Sequence, residues 1–248
     1  MTEQHFSTPQ PVELAVRIAS GDLDVNTVEG DESTVVIDAS PKLIDTLRVE
    51  LVGDRLVIEQ QKRSLGGWFG RWDDPLRIRV QIPVGSRVNV ATASADTRLD
   101  GDFAGLEMKS ASGDVALTGR LNGDAIIKTV SGDARLPRMT GDLTGQSVSG
   151  DVTVQAVEGS VSVNSVSGDL RIGSVHQGRV NVQSVSGDVE LGVAPGTSID
   201  IDAATASGDL ASEVPLSDAP DDGSGPTVVI RGNTVSGDFR VVRAGAPV

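Results

Sequence analysis

The 248-residue sequence contains no cysteine and no tyrosine, and its only aromatic side chains are four Phe and two Trp. Without cysteine the chain can form no disulfide and can offer no thiolate as a nucleophile or metal ligand. Aromatic rings usually supply much of the bulk of a globular core. A core in this chain must therefore be built from Val, Leu, Ile and Ala, and we expect it to be thin and regular.

Positive charge is also scarce, with 21 Lys and Arg against 35 Asp and Glu and a net charge of −14. Such a surface repels a phosphate backbone, so the sequence predicts no nucleic-acid partner. No stretch approaches the roughly 18 consecutive apolar residues of a membrane span. The N-terminus, MTEQHFSTPQPVELAV, lacks the basic start and apolar run of a signal peptide. We therefore expect a cytoplasmic protein without a transmembrane segment.

One short phrase, Ser-Gly-Asp or a close relative of it, recurs through the second half of the chain. Its glycine is found at Gly113, Gly132, Gly150, Gly168, Gly187, Gly208 and Gly237, and a second series falls between the first of these at Gly123, Gly141, Gly159 and Gly178. Between 113 and 187 a glycine thus arrives every 9 or 10 residues. A short fixed period predicts a solenoid, in which each unit buries its apolar face against its neighbours.

The residues between the glycines alternate with the period of a β-strand. In the unit that begins at Ser149, Val152 and Val154 alternate with polar residues, as Val161 and Val163 do. This pattern predicts two short strands and two corners per unit of about 18 residues, with the apolar residues inside. The predicted inward set also includes Val157 and Val166 in this unit, Leu170, Ile172, Val175, Val180, Val182 and Val185 in the next, and Val115, Leu117, Leu121, Ala125, Ile127 and Val130 in an earlier one.

The corner residues are expected to be structural. Glycine suits a corner that needs positive φ, and each Asp can bond the N–H groups of its own corner. Stacking would align the aspartates in a ladder in which neighbouring carboxylates repel by about 1 kcal/mol in water. A cation such as calcium would relieve this repulsion and is the alternative, but some corners lack an acid, so we predict no metal and no cofactor. The structural corner residues are Gly113, Asp114, Gly132, Asp133, Gly150, Asp151, Gly168, Asp169, Gly187 and Asp188.

No pattern of catalytic residues interrupts the repeat. The two histidines are His5, near the N-terminus, and His176, at a corner where other units carry small or polar residues. Glycoside hydrolysis needs two carboxylates at a set separation in a cleft, whereas the acids here recur uniformly along the corners. We expect no catalytic residue and a protein that is not an enzyme. The alternative is a carbohydrate-active β-helix enzyme, either a polysaccharide lyase or a hydrolase.

One segment, SLGGWFGRWDDP at 64–75, departs from the pattern because it holds Trp68, Phe69 and Trp72 among three glycines. It joins two predicted strands, so we predict a loop. Aromatic rings beside basic residues can enter a membrane interface or hold a partner. The loop is therefore our candidate for contact with a protein or envelope partner, or for peripheral membrane contact. The alternative is that it folds back and covers an end of the solenoid.

We find no linker between independent domains and predict a single β-solenoid domain over residues 1–248. Residues 12–93 would form an N-terminal β region, which holds a hairpin at 47–60 that turns at Gly53-Asp54, the aromatic loop, and a strand at 76–84. Residues 94–242 would form the regular coils, in which the Pro- and Gly-rich segment at 212–227 indicates a loop out of the last coil.

The phrases SVSGDV and TVSGDF, with the strand in VQIPVGSRVNVATASADTRL, resemble a bacterial family labelled putative adhesin, or toastrack-like β-solenoid repeat protein, a domain of unknown function. The resemblance extends from about Val12 to Val242. It implies a single-stranded right-handed parallel β-helix, a link to the cell envelope and to envelope-stress systems, and no catalytic residues. The resulting expectation is a non-catalytic binding or scaffold protein.

Overall fold

The computed structural model describes residues 1–61, 75–213 and 226–244. The elements in chain order are β1 (Thr2–Ser7), β2 (Glu13–Val28), β3 (Glu32–Asp38), α1 (Pro41–Ile44), β4 (Leu47–Val52), β5 (Arg55–Gln60), β6 (Arg77–Pro83), β7 (Arg87–Phe103), β8 (Gly105–Ser112), β9 (Val115–Leu121), β10 (Ala125–Ser131), β11 (Ala134–Met139), β12 (Leu143–Ser149), β13 (Val152–Val157), β14 (Val161–Ser167), β15 (Leu170–Val175), β16 (Gly178–Ser186), β17 (Val189–Val193), β18 (Ser198–Ser207), β19 (Leu210–Ser212), β20 (Thr227–Ser236) and β21 (Phe239–Arg243).

Consecutive repeat units stack as coils, and each coil places one strand on each of two faces. On the first face β8, β10, β12, β14 and β16 pair in parallel in that order, and on the second face β9, β11, β13, β15 and β17 do the same. The register follows the sequence repeat, since Leu143 lies opposite Val161 and Ser149 opposite Ser167. The predicted all-β parallel solenoid is therefore confirmed.

The core is the single layer of aliphatic side chains between the two faces. Val152, Val154, Val161 and Val163 are all buried, as the alternation predicts, and so is Val157 at the second corner. Within residues 1–61, 75–213 and 226–244, Phe103 and Phe239 are the largest fully buried side chains. The two faces can lie close together along the stack because most of the core is Val, Leu and Ile.

At the C-terminal end the coils do not stack in chain order. The coil of β20 and β21 lies between that of β16 and β17 on one side and that of β18 and β19 on the other, with parallel pairing on both sides. The coil of β16 and β17 and the coil of β18 and β19 are thus separated in space by the coil that follows both in sequence. Parallel pairing is made by backbone groups common to all units, so equal repeats do not specify which coil lies beside which.

The N-terminal end shows a similar inversion. The long strand β2 pairs with β7 on one side and with both β5 and β6 on the other, so the coil of β5 and β6 lies outside it. Antiparallel strands then close this end: β4 pairs with β5, β3 with β6, and β1 with β3. The hairpin predicted at 47–60 is confirmed, since Val52 lies opposite Arg55 and Gly53 has a φ of 65°.

Candidate functional site

Five valines immediately before the Ser-Gly-Asp corner point out of the protein and lie in a straight row. Their registers place one on each of five adjacent coils, and each is about half exposed, between 47% and 54%. Alanines occupy the same position in the flanking coils: Ala93 and Ala111 at one end and Ala206 at the other. We call the row Val130, Val148, Val166, Val185 and Val235 the valine ridge.

The valine ridge corrects the predicted inward positions of Val130, Val166 and Val185. In β14 the side chains of Val161 and Val163 point inward, so the period of two places Ser165 inside and Val166 outside. The inward hydroxyl position is shared by the other coils, for example by Thr129 and Ser147, both buried. Ser147 Oγ donates a hydrogen bond to the carbonyl oxygen of Gly150 at 3.1 Å. Ser147 is the exception among the described residues, since the equivalent buried hydroxyls of Ser110, Thr129, Ser165, Ser184 and Thr234 have no hydrogen-bond partner there.

A groove lies beside the ridge on the first face. It has a volume of about 440 Å³ and is lined by Ala91, Thr92, Lys109, Ser110, Lys128, Thr129, Val130, Gln146, Ser147 and Val148. One wall is the ridge, and the other is a row of longer polar side chains two residues before it. That row continues beyond the groove with Asn164, Gln183 and Asn233. We call this feature the corner groove.

The corner groove combines apolar surface with hydrogen-bond donors. Lys109 Nζ lies 2.6 Å from Glu107 Oε1 and forms an ion pair. For Lys128, no ion pair is found within the part of the chain that the structure describes. Two ammonium groups and Gln146 therefore face a wall of valine methyls. Such a surface can bind an apolar or amphipathic group and orient it by polar contacts along one side.

On the other side of the ridge, the corner aspartates form a continuous hydrogen-bonded ladder. The backbone N–H of each Asp donates to Oδ1 of the Asp in the adjacent coil; that of Asp151 donates to Asp133 at 3.1 Å, and that of Asp169 to Asp151 at 2.8 Å. The bond therefore reaches the neighbouring coil and not the residue's own corner, because the stacked coil presents its free N–H directly over the carboxylate. The aspartate ladder comprises Asp96, Asp114, Asp133, Asp151, Asp169, Asp188, Asp238 and Asp209.

The corner glycines lie against each other from coil to coil. A Cβ on Gly150 would lie 2.3 Å from the carbonyl oxygen of Gly132, and one on Gly168 would lie 2.4 Å from that of Gly150. Gly168 also has a φ of +139°, a region that L side chains rarely adopt. Close backbone approach is thus the constraint that these corners share. Gly132 and Gly187 make the same contact, and Gly113 makes it with the carbonyl oxygen of Ala95.

The described residues bring no cluster of candidate metal ligands together. Over 1–61, 75–213 and 226–244, no group of three or more His, Asp and Glu side chains could hold a metal ion. His5 Nδ1 lies 2.6 Å from Glu32 Oε1 at the N-terminal end, and His176 Nε2 lies 3.5 Å from Ser174 Oγ at the second corner. The two histidines are therefore at separate sites, and neither lines the corner groove.

The predicted aromatic contact residues, Trp68, Phe69 and Trp72, lie outside the described residues, so their role stays a prediction. In the described part of the chain, no helix is long and apolar enough to cross a membrane. Sequence reasoning missed the valine ridge because it treated every valine as a core residue. Strict alternation, continued past the Ser or Thr near the end of each strand, would have placed the following valine outside.

Comparison with known proteins finds one matching family and several solved structures with a similar fold. The model of a family described as Toastrack DUF4097 matches residues 12–241. A putative adhesin from Bacteroides fragilis is 14% identical, with a TM-score of 0.58 and coverage of 97% of this chain and 96% of that one. A putative lipid binding protein from Parabacteroides distasonis is 17% identical, with a TM-score of 0.57 and coverage of 98% and 96%.

A putative adhesin from Parabacteroides distasonis is 16% identical, with a TM-score of 0.56 and coverage of 96% of both chains. At these identities the likeness shows the fold alone. A search among curated proteins found no match.

Proposed function

The chain belongs to the Toastrack DUF4097 family, and on that premise we propose that it is a non-catalytic binding module for an envelope-associated partner, adhesin-like in its use of one surface. The observation that carries the proposal is the valine ridge beside the corner groove. Single exposed valines are ordinary on protein surfaces. A contiguous apolar strip bordered by polar side chains is typical of an interaction site.

The chemistry of the groove supports binding rather than catalysis. Its walls carry methyl, hydroxyl, amide and ammonium groups, and none of the described carboxylate or imidazole side chains lines it. The nearest large set of acids is the aspartate ladder. In it, one carboxylate oxygen of an Asp accepts a hydrogen bond from the backbone of the adjacent coil. Those carboxylates stabilise the stack, and their regular spacing offers no isolated pair in a cleft for glycoside hydrolysis.

Names of similar structures guide the choice of probes. Two are called putative adhesins and a third a putative lipid binding protein. We therefore propose tests with two kinds of envelope-like surface: neutral and acidic linear polysaccharides, and vesicles of phosphatidylglycerol or phosphatidylcholine. Each probe is titrated against the full chain, and polysaccharide samples are also assayed for released product.

The decisive comparison uses two double variants with equal changes in charge. Lys128→Glu with Val148→Glu alters the corner groove and the ridge, whereas Arg171→Glu with Gln155→Glu makes the same change of charge on the second face. We expect saturable binding of at least one probe by the unaltered chain and by the second-face variant. The groove variant should bind at least tenfold more weakly, and no product should appear.

Three results would contradict the proposal. Turnover of a polysaccharide would favour the carbohydrate-active enzyme. Equal binding by both variants would show that the groove is not the binding site. Absence of binding to every probe would show that the ridge does not have the proposed role.

A further inference from the structure

We infer that the valine ridge also binds a second copy of this chain, packed ridge into groove about a two-fold axis parallel to the stack of coils. The inference rests on the proposed function, because it names a partner for the same surface. Its support comes from three properties of the described residues: the spacing of the ridge, the position of the groove beside it, and the charges on the two sides.

The spacing of the ridge selects the partner. Neighbouring ridge valines are one coil apart, and parallel strands stack at about 4.8 Å. The corner groove has the same repeat because stacked coils form it too, and it shares the coils of Val130 and Val148 with the ridge. An extended peptide laid along the ridge presents side chains on one face only every ~6.6 Å, so it would lose register within two or three contacts. A second parallel stack keeps register along the whole ridge.

The relative position of ridge and groove selects the symmetry. Both features run parallel to the stack, side by side on one surface. A two-fold axis that runs between them turns Val130 and Val148 of each copy into the groove of the other and keeps every coil opposite its own equivalent. The remaining ridge valines then lie beside the row of Asn164, Gln183 and Asn233 of the other copy. An axis across the ridge would instead place ridge on ridge in opposite directions and leave both grooves empty. The parallel arrangement buries more apolar surface and is self-complementary, as an isologous interface requires.

The same arrangement brings donors opposite acceptors. Beyond the groove lies the row that contains Lys109, Lys128 and Gln146, and beyond the ridge lies the aspartate ladder. The two-fold axis therefore sets Lys128 near the corner of Asp133 in the second copy, whose Oδ2 also lies 3.0 Å from Arg135 of its own chain. It sets Gln146 against the corner that holds Asp151. Each of these aspartates gives Oδ1 to its own stack. Opposite charges facing each other across an interface fix its register more than its strength.

The size of the interface predicts a weak dimer. Eight coils, from Ala93 to Ala206, extend about 34 Å at 4.8 Å per coil, and six residues from Lys to Asp extend about 18 Å. The footprint is then about 600 Å² per copy, or roughly 1,200 Å² in total, at the lower limit of stable specific interfaces. We expect monomer and dimer to be in equilibrium at micromolar concentration.

Sedimentation velocity over a series of micromolar concentrations tests the dimer. The variant Val166→Glu places a charge at the centre of the ridge and should raise the dissociation constant at least tenfold. The matched control is Val52→Glu, since Val52 is 61% exposed but lies in the β4–β5 hairpin. The control should sediment like the unaltered chain. A chain that stays monomeric throughout, or a dimer that Val166→Glu leaves intact, would overturn the inference.

Cysteine cross-linking tests the direction of packing without background, because the chain has no cysteine. In the parallel arrangement Val130→Cys and Val235→Cys each cross-link to themselves, and a mixture of the two yields no mixed disulfide. A mixed disulfide between the two variants would show antiparallel packing and refute the proposed axis.

The outcome for the dimer is separable from that for the binding module. If the chain is monomeric but its Lys128→Glu/Val148→Glu variant still loses probe binding, the second copy is not the partner. The groove would then remain a binding site for the probe. A dimer that Val166→Glu disrupts, in a chain that binds no probe, would keep the inference about the partner and refute the envelope-associated function.

Discussion

Replacing Asp151 separates two roles that its carboxylate could have, as a hydrogen-bond acceptor and as a negative charge. Oδ1 of Asp151 accepts the N–H of Asp169 at 2.8 Å, while the N–H of residue 151 itself donates to Asp133. Asp151→Ala removes the acceptor and keeps the backbone donor. Asp151→Asn keeps an oxygen acceptor in the same place and removes the charge.

The expected magnitudes differ between the two variants. A hydrogen bond to a charged group contributes about 1.5–3 kcal/mol when shielded, and this corner is exposed, so we expect Asp151→Ala to cost about 1 kcal/mol. Asn gives a weaker, neutral hydrogen bond, but it also relieves repulsion from the carboxylates of the two adjacent coils, each worth at most about 1 kcal/mol in water. The two effects oppose each other, and Asp151→Asn should change the free energy of unfolding by less than about 0.5 kcal/mol.

Two measurements check this prediction. Urea denaturation gives the free energy of unfolding, and native-state hydrogen exchange reports on the Asp169 amide itself. In Asp151→Ala that amide should exchange about fivefold faster, the factor that corresponds to about 1 kcal/mol, whereas in Asp151→Asn it should exchange nearly as in the unaltered chain. If Asn proves as costly as Ala, the negative charge is what the ladder needs. A stability that falls further on addition of a chelator would then favour a bound cation.

Three further predictions follow from the corners, the ridge and the aromatic segment. Gly150→Ala should lower the free energy of unfolding by at least ~2 kcal/mol, measured by thermal denaturation, because its Cβ would meet the Gly132 carbonyl oxygen at 2.3 Å. Gly105→Ala should be near neutral, because its Cβ would meet the Asp124 carbonyl oxygen at 3.6 Å. Equal effects would show that close approach is not the constraint. In urea denaturation, Val163→Ala should lower the free energy of unfolding by about 2 kcal/mol because Val163 is 2% exposed. Val166→Ala should lower it by less than about 0.5 kcal/mol. A large loss of stability in Val166→Ala would place that side chain in the core. Tryptophan emission should shift to the blue with phosphatidylglycerol vesicles if the segment of Trp68 and Trp72 enters the membrane interface, and emission that is blue without lipid and unchanged by it would favour the covering role.

The inward positions of the strands could be predicted from the sequence wherever alternation was applied without exception. Val152, Val154, Val161 and Val163 alternate with polar residues and are all buried. Val166 was misplaced because its apolar character was given more weight than its phase. Continuing the period from Val163 through Ser165 places Val166 outside.

The order of the coils could not be predicted from the repeat. The coils β16–β17, β18–β19 and β20–β21 carry the same Ser-Gly-Asp phrase at 186–188, 207–209 and 236–238, so backbone pairing and the Asp ladder suit any neighbour equally. In the structure Asp238 lies between Asp188 and Asp209 in the ladder.

The inverted order at both ends determines when and where this stack can open. Coil β18–β19 leaves the ribosome before β20–β21, yet its native neighbour is the later coil, so this end of the stack can be completed only after β20 and β21 have been synthesised. Strand β2 is likewise held between two coils made after it. At the C-terminal end the outer coil is therefore β18–β19, which lies in the interior of the sequence, and partial unfolding there can begin without releasing β20 and β21.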